Sequence, residues 1–415
     1  MTGDASRVTL RPGRERSVVN RHPWLFSGAI AESHARDGEL VEVCAADGSW
    51  LARGYYNGRS QIVVRLLTWE REEAVDEGFW RRRIERAVDA RRRLPGLHGS
   101  ALRLVNAESD GIPGLVADLY VGTSDSRRLA VLVLQALTLG VERRKELLAR
   151  LLSEALSPGA LPRLGEWDEL LVYERSDVDV RRLEGLDEHT GPLLGGAPPE
   201  RLVVEEEGLL QEVDVAHGHK TGLYLDQHLN RARVAAYSAR AEVLNCFAYT
   251  GSFGLHALSS GAKSVTDVDS SAAALELGRR AFELNGLSLG QREQIEGDVF
   301  QVLRAFRDAG RKFDAVILDP PKFAYRASQV QAACRGYKDI NLLGMTILRP
   351  GGVLATFSCS GLVSADLFQK VVFGAALDAR REVQILEPLS QAPDHPILVT
   401  FPESHYLKGL LCRVW

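Results

Sequence analysis

The feature that most narrows what this chain can fold into lies after residue 200, where strand-like and helix-like segments alternate without interruption. Residues 242–247 (EVLNCF), 264–269 (SVTDVD), 313–321 (FDAVILDPP) and 353–360 (VLATFSCS) read as strands, most of them near-continuously apolar. Residues 293–299 (EQIEGDV) lead to a further strand end. Between the strands, residues 254–261, 272–286 and 340–352 read as helices, the last closed by glycine. Apolar strands with a helix in each crossover need a parallel sheet covered on both faces, so this region is expected to be a doubly wound, Rossmann-like α/β domain. In such sheets ligands sit beyond the carboxyl ends of the strands.

The preceding chain has a different character. Residues 8–10, 40–44, 50–56 and 62–67 are short apolar or alternating segments, with turn signals at Asp47-Gly48 and Asn57-Gly58, and predict a small β-rich module. Residues 78–94 switch to helical spacing through Phe79, Ile84, Ala87, Val88 and Leu94. Strands are expected over 102–139 and 169–176, with a helix over 141–156, giving a central α+β region. The Gly- and Pro-rich stretch 185–199 is the best linker candidate. The expected domains are therefore 1–72, 73–190 and 191–415.

No apolar run approaches the roughly 18 residues of a membrane span, and no apolar core follows the charged start, so neither a transmembrane helix nor a secretory signal is expected. Five cysteines (Cys44, Cys246, Cys334, Cys359, Cys412) form no CxxC pair, which argues against disulfides and zinc and for the cytoplasm. His217 and His219 lack an evident third partner, so no metal is expected. The chain carries a formal net charge of -4, so binding to nucleic acid would need local basic patches. Two exist: Arg7, Arg11, Arg14, Arg16 and Arg21 against Asp4 and Glu15, and seven arginines of residues 80–93 against Glu85 and Asp89. Either is also what a solvated surface looks like.

Chemistry concentrates at the strand ends. Gly251 and Gly254, in the turn after the first strand, are expected to let backbone approach a ligand. Tyr249 stands where the dinucleotide GxGxxG pattern has its first glycine, which disfavours a hydride-transferring dehydrogenase. Asp267 and Asp269 end the second strand and could accept both ribose hydroxyls of an adenosine; Asp269 or Ser270 could equally cap a helix. Asp298 ends the third and could accept from an adenine amino group. Asp319 ends the fourth, aimed from a turn that Pro320 and Pro321 make rigid. Cys359 ends the fifth between Ser358 and Ser360. Carbon 5 of cytosine does not take a methyl group unaided, and a thiolate added to carbon 6 would make it enamine-like. Cys246, on an apolar strand, reads as structural, whereas Cys334 stays open as a second participant. The loop 217–227 reads as a lid or cofactor rim.

Taken together, KTGLYLDQ (220–227), NCFAYTGSFG (245–254), DVD (267–269), EGDVF (296–300), LDPPKF (318–323), CRGYKDIN (334–341) and TFSCSG (356–361) resemble the large-subunit ribosomal RNA cytosine-C5 methyltransferases (RlmI-like). HPWLFSGAI (22–30) and the final segment 394–415 are similar as well. The resemblance implies an N-terminal PUA RNA-binding domain, a central α+β domain and a Rossmann-like methyltransferase domain. It implies S-adenosylmethionine as cofactor, held by Lys220, Tyr224, Asp226, Gln227, Phe247, Tyr249, Thr250, Gly251, Asp269, Asp298 and Asp319. It further implies 23S ribosomal RNA as partner, Cys359 as nucleophile and Asp319 at the edge of a flipped cytosine. Lys322 and Cys334 lie near enough in sequence to be considered for removal of the carbon-5 proton. His228 departs from the family, which usually has arginine there, and region 155–170 is longer than usual. Two rival readings are a guanine N-methyltransferase of the same fold, which needs no cysteine, and a non-catalytic RNA-binding protein. The oligomeric state stays open, with a homodimer among the options.

Overall fold

The computed structural model describes residues 6–415 apart from 97, 158 and 219, so Asp4 and His219 lie outside it. The chain divides into two units, the first of residues 1–202, 214–223 and 393–404 and the second of 203–213, 224–392 and 405–415.

The sheet of the second unit has strands β1 (Glu242–Cys246), β2 (Ser264–Asp269), β3 (Arg292–Glu296), β4 (Phe313–Leu318), β5 (Leu348–Ser358), β6 (Val383–Ser390) and β7 (Lys408–Val414). Their order is β3-β2-β1-β4-β5-β7-β6. Neighbours from β3 through β5 are parallel, and β7 runs antiparallel to both β5 and β6. Val243, Leu244, Val316, Ile317, Leu354 and Ala355 are all buried, as strands covered on both faces require. The order reverses at β1, with β2 on one side and β4 on the other, so the ligand crevice is expected beyond Cys246.

The helix expected over 340–352 instead spans Val330–Ile347. Its buried stripe (Ala333, Tyr337, Ile340, Asn341, Gly344) runs at helical spacing from well before 340, and Gly336 had obscured that start. Leu348 already belongs to β5, and residues 349–352 form an irregular stretch inside the strand, where the register with β4 shifts.

In the first unit, a six-stranded sheet joins Trp24–Phe26, Ile62–Thr68, Trp50–Tyr56, Leu40–Cys44, Ser6–Leu10 and Ile30–Ser33 in that order. A second sheet contains Ala101–Asn106, Leu115–Ser124, Arg127–Ala136, Glu169–Ser176 and His189–Leu194. The linker expected at 185–199 is thus partly a strand: His189–Leu194 pairs antiparallel with Glu169–Ser176, which satisfies backbone groups that a free linker would leave to water.

The helix Glu77–Arg92 begins where Asp76 accepts a hydrogen bond from the Phe79 N–H, at 2.9 Å. Its arginines are largely engaged. Arg81 pairs with Glu77 and Glu154, Arg82 with Glu73, and Arg92 and Arg93 with Asp89. Arg91 is buried and donates two bonds to Asp110, at 2.6 and 2.7 Å, plus one to the Asp394 carbonyl at 2.8 Å. This basic run is chiefly an ion-paired face with one internal staple. By contrast, Arg14 and Arg16 of the N-terminal segment are exposed. Among the described residues no helix is long and apolar enough to cross a membrane.

Candidate cofactor and nucleophile site

The turn after β1 is conformationally costly. Phe247, Tyr249 and Gly251 all have left-handed backbone, with φ of 58°, 50° and 72°. For the two aromatic residues that costs roughly 1–2 kcal/mol each, so the surroundings must hold the turn in place. They do: the Ala248 N–H donates to the Val268 carbonyl at 3.0 Å, and the Tyr249 N–H to Asp269 Oδ2 at 2.8 Å.

The glycines have a packing task beside the one expected. A Cβ on Gly251 or Gly254 would fall 2.8 or 2.7 Å from an Asp267 carboxylate oxygen, and one on Gly278 would fall 2.4 Å from the Thr250 carbonyl. These glycines let the turn and its helices close onto Asp267, so their need is met by packing before any ligand is considered. Asp267 is fully buried and bonded to Arg292 Nε at 2.7 Å and Asn245 Nδ2 at 2.8 Å. Burial nevertheless pushes its carboxyl above the usual range. Asp267 is therefore an internal staple, and Asp269 is the less buried acid of the pair.

Asp269 is half-buried and also accepts from the Ser271 N–H at 2.9 Å. The helix Ala272–Leu284 is capped by Ser271, not by Asp269 or Ser270. Asp298 is exposed and caps the helix Val299–Asp308 by accepting from the Gln301 N–H at 2.9 Å.

Several expected residues meet around Tyr224. Burial raises its hydroxyl's pKa, and the nearby Asp319, Tyr249, Asp226 and Cys359 raise it further. Its ring lies 5.4 Å from that of Tyr249, edge to face. Asp226 accepts from the Tyr406 hydroxyl at 2.7 Å. Gln227 is buried, its oxygen accepting from Asn230 at 2.6 Å, while its Nε2 donor has no hydrogen-bond partner among the described residues. Phe247 is half-buried against the core, and Thr250 is buried beside Ser252, 3.3 Å away. Lys220 belongs to the first unit, where it is exposed with φ of 54°. His228 is buried among Glu206, Glu207 and Arg231, with its Nε2 3.0 Å from Glu207. Burial opposes the Glu206 charge, yet Arg231, His256 and His228 hold its carboxyl well below the usual range.

Cys359 follows β5 directly and is half-buried, with Sγ 3.8 Å from the Pro320 carbonyl. Ser360 ties the two loops together. Its Oγ accepts from the Phe323 and Ala324 N–H groups at 3.2 and 3.3 Å and bonds the Tyr337 hydroxyl at 3.0 Å. The other thiols differ. Burial pushes Cys246 up strongly, aided by Asp267, and takes Cys412 up to about 12. Cys334 packs beside the apolar core, and burial raises its thiol as well. Sequence reasoning missed two residues here, Tyr406 and Lys408. The Lys408 ammonium is buried and donates to the Ser360 carbonyl at 2.8 Å. Among the described residues no group of three metal-ligating side chains occurs.

A reversal at β1, acids at successive strand ends and an antiparallel β7 define a nucleotide-binding sheet of the methyltransferase class. The S-adenosylmethionine-dependent methyltransferase family model matches residues 185–411, and a PUA-like domain model matches 8–69. The ribosomal RNA large subunit methyltransferase I of Shewanella amazonensis is 49% identical, covering 99% of each chain. That of Pseudoalteromonas atlantica is 48% identical, covering 99% of this chain and 100% of its own. A solved structure described as a SAM-dependent methyltransferase from Streptococcus mutans shares the fold, with a TM-score of 0.80 at 20% identity over 98% of this chain and 99% of its own. The chain belongs to the S-adenosylmethionine-dependent methyltransferase family that includes these ribosomal RNA large subunit methyltransferases I. The residues around the switch point suit that cofactor: Gln227 offers an unsatisfied buried donor, Asp269 a carboxylate, and Tyr224 and Tyr249 aromatic surface.

Proposed function

We propose that this protein methylates carbon 5 of a cytosine in 23S ribosomal RNA, with Cys359 as the nucleophile. The observation that carries this reading is the setting of Cys359: a half-buried thiol at a strand end, close to Tyr224 and across from the Asp319-Pro320-Pro321 turn. A nitrogen methyltransferase has no use for a thiol there. The relatives' names support ribosomal RNA as substrate, and the PUA-like match supports RNA contact through residues 1–72. Residues 73–190 then form the central domain and 191–415 the methyltransferase domain, acting in the cytoplasm, where ribosomal RNA is made.

S-adenosylmethionine supplies an electrophilic methyl group when bound. Tyr224, Asp226, Gln227, Phe247, Tyr249, Thr250, Gly251, Asp269 and Asp298 would line its place, with Lys220 at the rim. The target base must leave its stack to be reached. Asp319, aimed by two prolines, accepts a hydrogen bond from the cytosine amino edge. The Cys359 thiolate bonds to carbon 6 and drives the electrons of the 5,6 double bond toward carbon 5, which takes the methyl group. A base then takes the carbon-5 proton, the electrons of that C–H bond restore the double bond, and the thiolate leaves carbon 6. Cys334, an apolar-packed thiol raised by burial, is poorly suited to accept that proton.

Incubation with methyl-labelled S-adenosylmethionine and protein-free 23S or 16S RNA, followed by nucleoside mass spectrometry, is expected to place the label in 5-methylcytosine from 23S RNA. Label on a guanine nitrogen would transfer the assignment to the rival chemistry. The exposed Arg14 and Arg16 supply a second test. If each neutralises a phosphate, Arg14→Gln/Arg16→Gln should flatten the slope of log K against log salt by about 1.4, taking ~0.7 per contact on single strands. An unchanged slope removes both arginines from the RNA interface.

A further inference from the structure

The proposed reaction needs Cys359 as a thiolate, and a thiol in a half-buried site does not ionise readily without a nearby positive charge. The side chains beside Cys359 differ in whether they can supply it. Tyr224 and Tyr337 face it and are neutral at neutral pH, both raised by burial. Lys322, on the Asp319 loop, is exposed. Lys408 is different in kind. Antiparallel pairing sets it opposite Ser358, one residue before the thiol. Its side chain is 5% exposed, and its ammonium is fixed on the Ser360 carbonyl at 2.8 Å, one residue after the thiol. The backbone on both sides of Cys359 thus locates this cation.

Burying a lysine is expensive, so its ammonium needs a fixed partner such as the Ser360 carbonyl. We infer that Lys408 is a positioning residue for the nucleophile, its ammonium anchored on Ser360 so as to stabilise Cys359 as the thiolate. This inference rests on Cys359 being the nucleophile, and it adds a residue to that reading. Among the described residues three titratable groups act on Lys408: Cys359, which favours its charge, and Lys322 and His405, whose charges oppose it. Burial is the largest influence and takes the Lys408 pKa down to about 8, so the ammonium is still mainly charged at neutral pH. The pairing is accordingly strongest below that value and fades as the lysine loses its proton.

The test is the pH dependence of iodoacetamide alkylation at Cys359, read by peptide mass spectrometry on the full-length protein. The wild-type midpoint is expected at or below about 8, under the ordinary thiol value. Lys408→Gln keeps a donor for the Ser360 carbonyl but removes the charge. It should raise the midpoint by about one unit, giving roughly tenfold slower alkylation near pH 7. Lys408→Arg should leave the midpoint within about 0.3 units of wild type. The acidic limb of kcat/KM for methyl transfer should move with the thiol, a change that a purely structural role would not produce. A Lys408→Gln midpoint equal to wild type overturns the inference. A wild-type midpoint above about 9 does so as well, and that reading needs no variant to fold. The nucleophile itself is judged separately: if Cys359→Ala retains methyl transfer, the proposed reaction fails whatever the alkylation profile shows.

Discussion

Cys359→Ala should abolish methyl transfer, lowering kcat by about 10⁴-fold or more, while S-adenosylmethionine still binds within roughly twofold of wild type. The split follows from the geometry. Cys359 stands on the Asp319 and Pro320 side of the site. The acids and aromatic residues suited to the cofactor lie at the ends of β1 and β2 and on the loop containing Tyr224. RNA carrying 5-fluorocytosine sharpens the test, because fluorine at carbon 5 cannot leave as a proton does. Wild-type protein should form an adduct with it that survives denaturant, and Cys359→Ala should form none. Cys334→Ser should retain both the adduct and the activity, its thiol being packed against the core. An adduct that persists without Cys359 would assign the bond to another atom.

Arg292→Met should cost about 3–5 kcal/mol of stability at neutral pH, measured from urea unfolding. The side chains of Arg292 and Asp267 are 1% and 0% exposed, so removing the guanidinium leaves a carboxylate inside the sheet with Asn245 as its remaining side-chain hydrogen-bond donor among the described residues. Burial already holds the Asp267 carboxyl above its ordinary range, and losing the cation raises it further. An acid whose pKa is higher folded than unfolded takes up protons on folding. The variant's deficit should therefore be full and constant above that raised value, and shrink as pH falls through it toward the unfolded carboxyl's ordinary value. Asp267→Asn added to Arg292→Met should recover part of the loss. A deficit below about 1 kcal/mol with no pH dependence would mean the pair behaves like a surface ion pair.

What the sequence disclosed and what it hid follow from the range of the interactions involved. Strands 40–44, 50–56 and 264–269 coincide with Leu40–Cys44, Trp50–Tyr56 and Ser264–Asp269, because each is bounded by local turn chemistry. That the central strands run parallel was legible from the alternation alone, though their order was not. β6 and β7 were not, since Val383–Ser390 is mostly exposed or half-buried and β7 opens on a charged residue. That failure concealed Lys408, which lies 48 positions from Ser360 and reaches it only through antiparallel pairing. The turn glycines at 251 and 254 stand out in the sequence, but their closeness to the buried Asp267 is a tertiary fact. The arginines of 80–93 look alike in sequence, and only the fold separates the internal Arg91 from its solvated neighbours.

The way the two units share the chain has a practical meaning. Neither is contiguous: residues 203–213 of the second precede residues 214–223 of the first, and 393–404 of the first interrupt the C-terminal part of the second. No single proteolytic cut can release either one intact, and a fragment starting at 224 would lose residues 203–213 and keep residues 393–404 of the other unit. Such a chain is not two finished modules joined end to end, so any exchange of one unit must replace several segments at once.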